Sequence, residues 1–468
     1  MKYILICLFL VISFNLKAQL CECEKEFLHI KDIIEKNFAG FPDRLKNLSK
    51  ATYKREVESI LKLTHNKFSS DNCVLLISQY LNIFKSHHLG FFPNFDFTKL
   101  DTNFINHRPL FTLTDALLNK LKLSKSWEGI YYFTHDSSYK IAVIKDPTPF
   151  HDYIGIIVES KLATWKKGML KIEGKLINDS LCTGLLYMRN HRPKLEGFGL
   201  LDSNNMISGD WRREGTLKKE KKKTSSGSQN SSDIDFKKLS PNTNYLKISS
   251  FETEYKSNID SILKENESVL NSTANLILDL RDNGGGADNL WQPLIQYLYT
   301  DPLKTIGVDA LATDTTIVGW KKYLEDKNLS NESVNEIKAT IAKMEKAKGK
   351  WVSLGTDQID SSFKAKLFPK NVVILINKWC GSSTEEFLLM ARQSSKVTLV
   401  GENTIGNLDY SNVVQTPFKC FPYTLRYAST RSRRLNINQG IDNIGIAPNY
   451  YLGKEKDWIK EAVKLLEN

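Results

Sequence analysis

The sequence predicts an α/β protein: a C-terminal half with a parallel sheet covered by helices, preceded by a helical segment and a β-rich segment. From residue 235 onward, short apolar runs alternate with amphipathic helical patterns, an order typical of parallel sheets. Residues 24–86 carry apolar stripes at helical spacing, whereas residues 127–211 alternate apolar and polar positions. With 468 residues, 41% of them hydrophobic, the chain is long enough to build two or three cores.

The first 19 residues have the pattern of a secretory signal. Lys2 is followed by an apolar stretch, residues 3–14, and by a polar end near Ala18. We therefore expect an exported protein, periplasmic or extracellular. Lipid anchoring at Cys21 is the less favoured alternative, because Leu20 stands where a small residue is expected. No later segment approaches the ~20 apolar residues of a spanning helix, so no stable membrane insertion is expected.

The number and spacing of the cysteines and the distribution of charge argue against a metal site and a nucleic-acid partner. Six of the seven cysteines follow the signal, which permits disulfides in an exported chain, with buried free thiols as the alternative and no pairing specified. Cys21 and Cys23 lack the second ligand pair of a zinc site, so no metal is expected. The net charge of +12 is dispersed and follows no basic–aromatic pattern, which argues against a nucleic-acid partner.

Composition divides the mature chain into four segments. Residues 20–95 are predicted to form a helical cap, and residues 96–216 a β-rich module, with a small barrel as one form it could take. Residues 217–234 are polar and of low complexity, which predicts a disordered loop. Residues 235–468 hold the α/β core, interrupted at about 320–350 by a charged helical insertion.

The stretch that organises the core is residues 371–393. An apolar run rich in β-branched residues, typical of a buried parallel strand, passes through a Cys-Gly-Ser-Ser turn into an amphipathic helix. Ser382 is thereby placed at a strand-to-helix corner, where a nucleophilic serine is exposed and free N–H groups can bind an anion. Alternatively, Ser382 only caps the helix. Cys380 is a rival nucleophile, but it is expected at the strand end, buried or in a disulfide.

A second informative stretch, residues 276–286, is an apolar strand that ends in three glycines. Glycines at a strand-to-helix turn let a reacting group approach the backbone N–H groups closely. A simple tight turn is the alternative explanation for the glycine run.

Taken in order, these stretches resemble the C-terminal processing (tail-specific) and tricorn-core peptidases, serine peptidases of the ClpP/crotonase-like fold. Four segments carry the resemblance: 245–251, 279–286, 377–385 and 445–449. It covers roughly residues 235–455. It implies a ClpP/crotonase-like core that cleaves peptide or protein substrates without a cofactor, and it leaves the oligomeric state open.

The resemblance implies a role for particular residues. Ser382 falls on the family's nucleophile. The processing peptidases carry a lysine base after a Gly-Glu-x-Thr-x-Gly turn, but Asn407 follows that turn here, so the resemblance is to the tricorn-like branch, which uses a histidine. His88 falls on the base position, with His87 as the alternative base or as its partner. Asp442 falls on the acid that orients the histidine.

The remaining site positions complete this hypothesis. The N–H groups of Ser383 and Gly285 are expected to hold the oxyanion. Tyr410 and Arg431 are candidates for binding a substrate carboxylate. Each position has a plainer alternative: the histidines could form a solvated helix end, and Asp442 a turn.

Two functions follow from this pattern. The first is an exported serine endopeptidase that forms an acyl-enzyme on Ser382 with a histidine base. The alternative is a catalytically inactive protein that binds peptides or small molecules on the same fold, and it is motivated by Asn407 in the lysine position.

Overall fold

A computed structural model describes residues 22–66, 69–107, 110–124, 126–146, 148–178, 181–199, 206–207, 211–215, 233–327, 329–453 and 455–467. The predicted signal, residues 1–19, and nearly all of the predicted disordered loop, residues 217–234, lie outside these ranges. In the described ranges, no helix has the length and apolar character needed to cross a membrane.

Four helices form the N-terminal segment, as the apolar stripes predict. They are α1 (Cys23–Asn37), α2 (Phe41–Leu48), α3 (Lys50–Thr64) and α4 (Ser69–Asn82). Helix α3 begins after Ser49, whose hydroxyl accepts the Thr52 N–H. A disulfide between Cys23 and Cys73 joins α1 to α4, which supplies one pairing that the sequence left open.

The middle segment is an antiparallel β-module. It is preceded by β1 (Gly90–Pro93), α5 (Thr102–His107) and α6 (Asp115–Lys122). Its eight strands are β2 (Gly129–Phe133), β3 (Tyr139–Lys145), β4 (Tyr153–Ser160), β5 (Leu170–Asn178), β6 (Leu181–Tyr187), β7 (Pro193–Gly199), β8 (Met206–Ile207) and β9 (Trp211–Arg213). They pair in the order β7-β6-β5-β4-β3-β2-β9-β8. The end strands β7 and β8 come near each other, so the sheet is curled like a barrel.

The C-terminal part contains the predicted parallel sheet. Its elements are β10 (Ile234–Lys238), β11 (Thr243–Ile248), α7 (Lys256–Glu265), α8 (Glu267–Leu270), β12 (Asn275–Asp279), α9 (Gln292–Leu298), β13 (Leu303–Thr305), β14 (Val308–Leu311), α10 (Asp314–Tyr323), α11 (Asn331–Lys346), β15 (Trp351–Ser353), β16 (Gln358–Asp360), β17 (Asn371–Ile376), α12 (Ser383–Ala391), β18 (Val397–Gly401), β19 (Tyr410–Pro417), β20 (Tyr423–Ser432), β21 (Tyr450–Tyr451) and α13 (Trp458–Glu467).

Six of these strands form the central sheet, in the order β10-β11-β12-β17-β18-β21. All neighbours pair in parallel except the edge pair of β10 and β11. Val372 through Ile376 are at most 1% exposed, as expected for a strand covered by helices on both faces. The sheet aligns the carboxyl ends of β12 and β17, and the chain leaves both ends toward the candidate site.

A second sheet joins the N-terminal segment to the C-terminal part through strand pairing. Strand β1 pairs with β20, β20 also pairs with β14 and β19, and β14 pairs with β15. The predicted helical insertion is α10 and α11. Helix α10 packs against this sheet, where Trp320 Nε1 donates to Ser429 Oγ of β20, and α11 packs against α10. Because β1 begins two residues after His88, this pairing brings the N-terminal segment to the C-terminal core.

The Cys23–Cys73 disulfide gives a test of how the N-terminal helices are held. Replacing both cysteines by alanine should lower the local free energy of unfolding by up to ~4 kcal/mol, because the bond closes a 50-residue separation. Hydrogen exchange of the amides in α1 and α4 should accelerate accordingly. Cys182→Ala, which removes a buried free thiol in β6, is the control and should leave that exchange unchanged. Equal exchange in the double variant and the parent would contradict the prediction.

Candidate active site

Ser382 lies at the corner between β17 and α12, as the sequence predicts. Its backbone is at φ 55° and ψ −125°, a conformation that residues other than glycine rarely adopt. The Ser382 N–H donates to Asn407 Oδ1 at 2.6 Å. The next N–H, that of Ser383, has no acceptor among the described residues, and neither does the Ser382 hydroxyl. The corner therefore presents a hydroxyl beside a free donor at a helix start.

The glycine turn packs directly against this corner. A Cβ on Gly285 would lie 2.8 Å from Ser382 Cβ and 2.9 Å from Ser383 N. Gly286 has φ 144°, and a Cβ there would lie 2.0 Å from the Phe251 carbonyl. No other residue type fits these two positions without moving the turn away from Ser382.

Of the two N–H groups predicted to hold the oxyanion, only one is free to do so. The Ser383 N–H is free, but the Gly285 N–H donates to Asn283 Oδ1 at 3.0 Å. The neighbouring Gly286 N–H has no acceptor among the described residues, so it is the available donor of the turn. Asn283 is fully buried and also accepts from Thr384, which explains why its side chain is fixed under the turn.

His88 follows α4 and precedes β1, and its ring is fixed by a backbone group. Nδ1 lies 2.6 Å from the Tyr410 carbonyl oxygen. A carbonyl can only accept, so Nδ1 carries the proton and Nε2 has the free lone pair. Burial lowers the pKa of His88 below 6.5, and Arg426 and His87 lower it further, against the Tyr410 hydrogen bond. His88 is therefore neutral at neutral pH, the state a general base requires.

The segment from Asn407 to Tyr410 links the nucleophile and the histidine. Asn407 contacts Ser382, and three residues later Tyr410 contacts His88. Three residues span at most ~11 Å, so one short segment contacts both Ser382 and His88. No hydrogen bond joins His88 to Ser382 in the part of the chain that the structure describes.

Glu385 holds this linking segment in place, a role that sequence reasoning missed. Its buried carboxylate accepts the N–H of Gly406 at 2.8 Å and of Asn407 at 2.9 Å, and also the Thr404 hydroxyl. Burial raises its pKa, and these hydrogen bonds oppose the rise. The sequence signal for this role was an acidic residue in the first turn of the helix that follows the predicted nucleophile.

Asp442 does not contact His88, which corrects the predicted arrangement. Its oxygens accept from Arg44 Nη2 at 2.8 Å and from the Asp409 N–H at 2.9 Å. Arg44 comes from α2, so the cap supplies the cation that pairs with this acid. Burial raises the pKa of Asp442 to about 7, and the neighbouring Asp409 contributes to the rise.

Tyr410 and Arg431 are not free to bind a substrate carboxylate. The Tyr410 hydroxyl donates to Asp43 Oδ2 at 2.8 Å, and Arg431 Nε donates to the same oxygen at 2.6 Å. Their predicted substrate role is therefore not supported, because Asp43 of α2 already supplies the carboxylate.

His87 is exposed at the surface, beside His88 in the chain.

Cys380 is unsuited to act as the nucleophile. It is fully buried, with Sγ 3.0 Å from the Leu280 carbonyl oxygen. Burial raises the pKa of its thiol to about 12, so the thiolate is scarce at neutral pH. In the described ranges, no group of three or more potential His, Cys, Asp or Glu ligands could hold a metal ion.

A serine at a strand-to-helix corner with a glycine turn packed against it is the arrangement that serine hydrolases use on an α/β sheet. Residues 242–452 match the model of peptidase family S41, and this match indicates a serine-type peptidase. The match includes Ser382, the glycine turn and Asp442, whereas His88 lies outside it.

Several solved structures are similar to this chain. Mature CPAF matches over 95% of this chain and 96% of its own, at 11% identity and a TM-score of 0.50. A Parabacteroides merdae peptidase matches at 18% identity with a TM-score of 0.32, over 50% of this chain and 64% of its own. The photosystem II D1 C-terminal processing protease matches at 14% identity with a TM-score of 0.37, over 96% and 98%. At such identities the likeness to CPAF concerns the fold. No curated protein matches the sequence significantly.

The packing of the glycine turn predicts different effects for two adjacent glycines. Gly286→Ala should destabilise the protein by ~3 kcal/mol or more, through a strained φ and a clash with the Phe251 backbone. Gly284→Ala is the matched control, because a Cβ there meets nothing within 4 Å. Thermal unfolding of the two variants measures the difference. Equal melting temperatures would show that the turn is not packed as described.

Proposed function

We propose that this protein is an exported serine endopeptidase that cleaves peptide bonds through an acyl-enzyme on Ser382. The observation that carries the proposal is the strained corner at Ser382, where the hydroxyl lies beside the free Ser383 N–H. Strain of this kind persists only where the surrounding structure fixes it, and it is concentrated at functional sites.

In the proposed mechanism, Ser382 Oγ attacks the scissile carbonyl while His88 Nε2 removes its proton. The oxyanion is held by the Ser383 N–H and by the Gly286 N–H of the turn. The His88 imidazolium then protonates the leaving amine, and an ester forms on Ser382. A water molecule, deprotonated by His88, hydrolyses this ester and regenerates the serine. The chemistry requires no metal or cofactor.

Asp442 acts in this mechanism as a positioning residue. It accepts the N–H of Asp409, the residue directly before Tyr410, and Tyr410 orients His88. A carbonyl stabilises an imidazolium less than an ionised carboxylate does, since a hydrogen bond to a charged group is roughly twice as strong. We therefore expect His88 to be a weaker base than a histidine paired with a carboxylate.

Export is part of the proposal. Disulfides persist in oxidising compartments and are rare in reducing ones, and Cys23–Cys73 is buried within the N-terminal helices. Peptides or proteins of the periplasm or of the extracellular space would then be the substrates.

A second candidate function is that of an inactive binding protein with the same fold. Asn407 stands in the position of the lysine base and contacts the Ser382 N–H, and the Gly285 N–H already has an acceptor. These contacts favour a site that binds peptides without cleaving them. The two functions differ in whether Ser382 is activated.

Labelling with a fluorophosphonate serine probe tests the activation of Ser382. The parent protein should react, Ser382→Ala should not, and His88→Ala should react at least ~100-fold more slowly, because it lacks the general base. His87→Ala is the control and should react at close to the parent rate, since His87 is exposed and outside the proposed machinery.

Two outcomes would contradict the assignments. A folded parent protein that stays unlabelled would favour the binding protein. Equal slowing in His87→Ala and His88→Ala would remove the assignment of His88 as the base.

The pH dependence of labelling follows from the pKa of His88. Only the neutral imidazole accepts the serine proton, so the rate should rise with pH and reach half its maximum below pH 6.5, because burial lowers this pKa. Arg426→Met removes a positive charge that lowers it, and should shift the midpoint upward. The Asp442→Asn profile identifies any second limb near pH 7 that belongs to Asp442. A parent midpoint above pH 6.5 would contradict the described environment of His88.

A further inference from the structure

A cavity of about 560 Å³ lies in the β-module, and no residue of the candidate active site lines it. Its walls come from β1 and the segment after it, from β2, β3, β5, β6, β7 and β9, and from the turn between β6 and β7. The walls are mostly apolar, with aromatic side chains from Phe97, Phe133, Tyr139 and Trp211. This volume is within the range of small-molecule pockets, ~300 to 1,000 Å³.

Lys171 on β5 is a buried cation in the lining of this cavity. The residue is 3% exposed, and Nζ lies 3.9 Å from the Tyr139 ring centre and 4.2 Å from that of Trp165. Nζ also donates to the Tyr187 carbonyl. No carboxylate pairs with Lys171 within the described ranges, although a buried charge is costly unless it is paired. Burial lowers its pKa to about 7, and Arg189 contributes to the shift.

Two further donors in the lining are buried without an acceptor in the described part of the chain. They are the Tyr139 hydroxyl and Trp211 Nε1. A buried donor left unpaired costs roughly 1 to 3 kcal/mol, so such groups indicate an acceptor that occupies the cavity. Arg189 and Lys194 also line the cavity, but they pair with Asp136 and Glu196. No described lining residue is acidic, so Lys171 is the lining cation that has no carboxylate partner in the described ranges.

We propose that this cavity binds an amphipathic monocarboxylate of the fatty-acid type. Its carboxylate would pair with Lys171 and accept from the Tyr139 hydroxyl and Trp211 Nε1. Its apolar chain would lie among the aromatic walls. A single buried cation in an apolar cavity matches one carboxylate at the end of a hydrocarbon chain. The proposal is independent of peptidase activity, because it uses none of the groups around Ser382.

The test measures binding of dodecanoate to the full mature protein by isothermal titration calorimetry. Dodecanoate should bind, whereas its methyl ester and dodecylammonium should bind at least ~10-fold more weakly, because neither offers an anion to Lys171. Lys171→Met should weaken dodecanoate binding by at least ~10-fold, and Tyr139→Phe by a smaller factor. Lys167→Met removes an exposed lysine in the loop before β5 and should bind as the parent does.

Controls distinguish lost binding from lost folding. Replacing an unpaired buried cation by an apolar side chain of similar size should not destabilise the module, which thermal unfolding of Lys171→Met checks. Equal binding of acid and methyl ester, or no dodecanoate binding to the folded parent, would overturn the proposal. So would an apolar peptide that binds only with a free C-terminal carboxylate while dodecanoate does not, since the cavity would then bind chain ends. Ser382→Ala should bind dodecanoate unchanged even if the proposed peptidase activity fails.

Discussion

The site depends on how closely two backbone turns pack together at the carboxyl edge of the central sheet. The turn after β12 contacts the corner after β17, and it does so only because Gly285 and Gly286 have no side chains. Parallel pairing of the two strands fixes the distance between their ends. The side-chain amide of Asn283 fixes the two turns to each other. It accepts hydrogen bonds from the Gly285 N–H and the Thr384 hydroxyl, and it donates one to the Ile248 carbonyl. The position of Ser382 is therefore a consequence of sheet geometry and of missing side chains.

Ion pairs hold the N-terminal helices against the C-terminal part. Asp43 and Arg44 on α2 pair with Arg431 and Asp442 of the C-terminal part, and these side chains are largely withdrawn from water. Pairs of this kind matter most when one partner is removed, because the remaining charge stays buried. The same residues hold Tyr410, whose carbonyl oxygen fixes His88. The N-terminal helices are in this respect part of the candidate site.

The sequence predicted those features that depend on local pattern. The apolar strand from 371, the corner at Ser382 and the glycine turn each have a periodicity or residue type that marks them. It did not predict the partner of Asp442, because Arg44 lies 398 positions away and no local pattern distinguishes it from the other arginines. Nor could it predict that a main-chain carbonyl orients His88, since every residue carries one. The Gly285 donor was misassigned for a related reason: whether an N–H is free depends on where Asn283 points.

The long range of these contacts has a consequence for biosynthesis. The contact between His88 and Tyr410 joins residues 322 positions apart, and that between Arg44 and Asp442 spans almost the whole chain. A growing polypeptide that has emerged only as far as its β-module therefore contains the histidine but neither the serine nor the segment that links them. The complete arrangement can exist only after synthesis has passed Asp442. For a protein that would cleave other chains, this order delays any cutting until the molecule is finished.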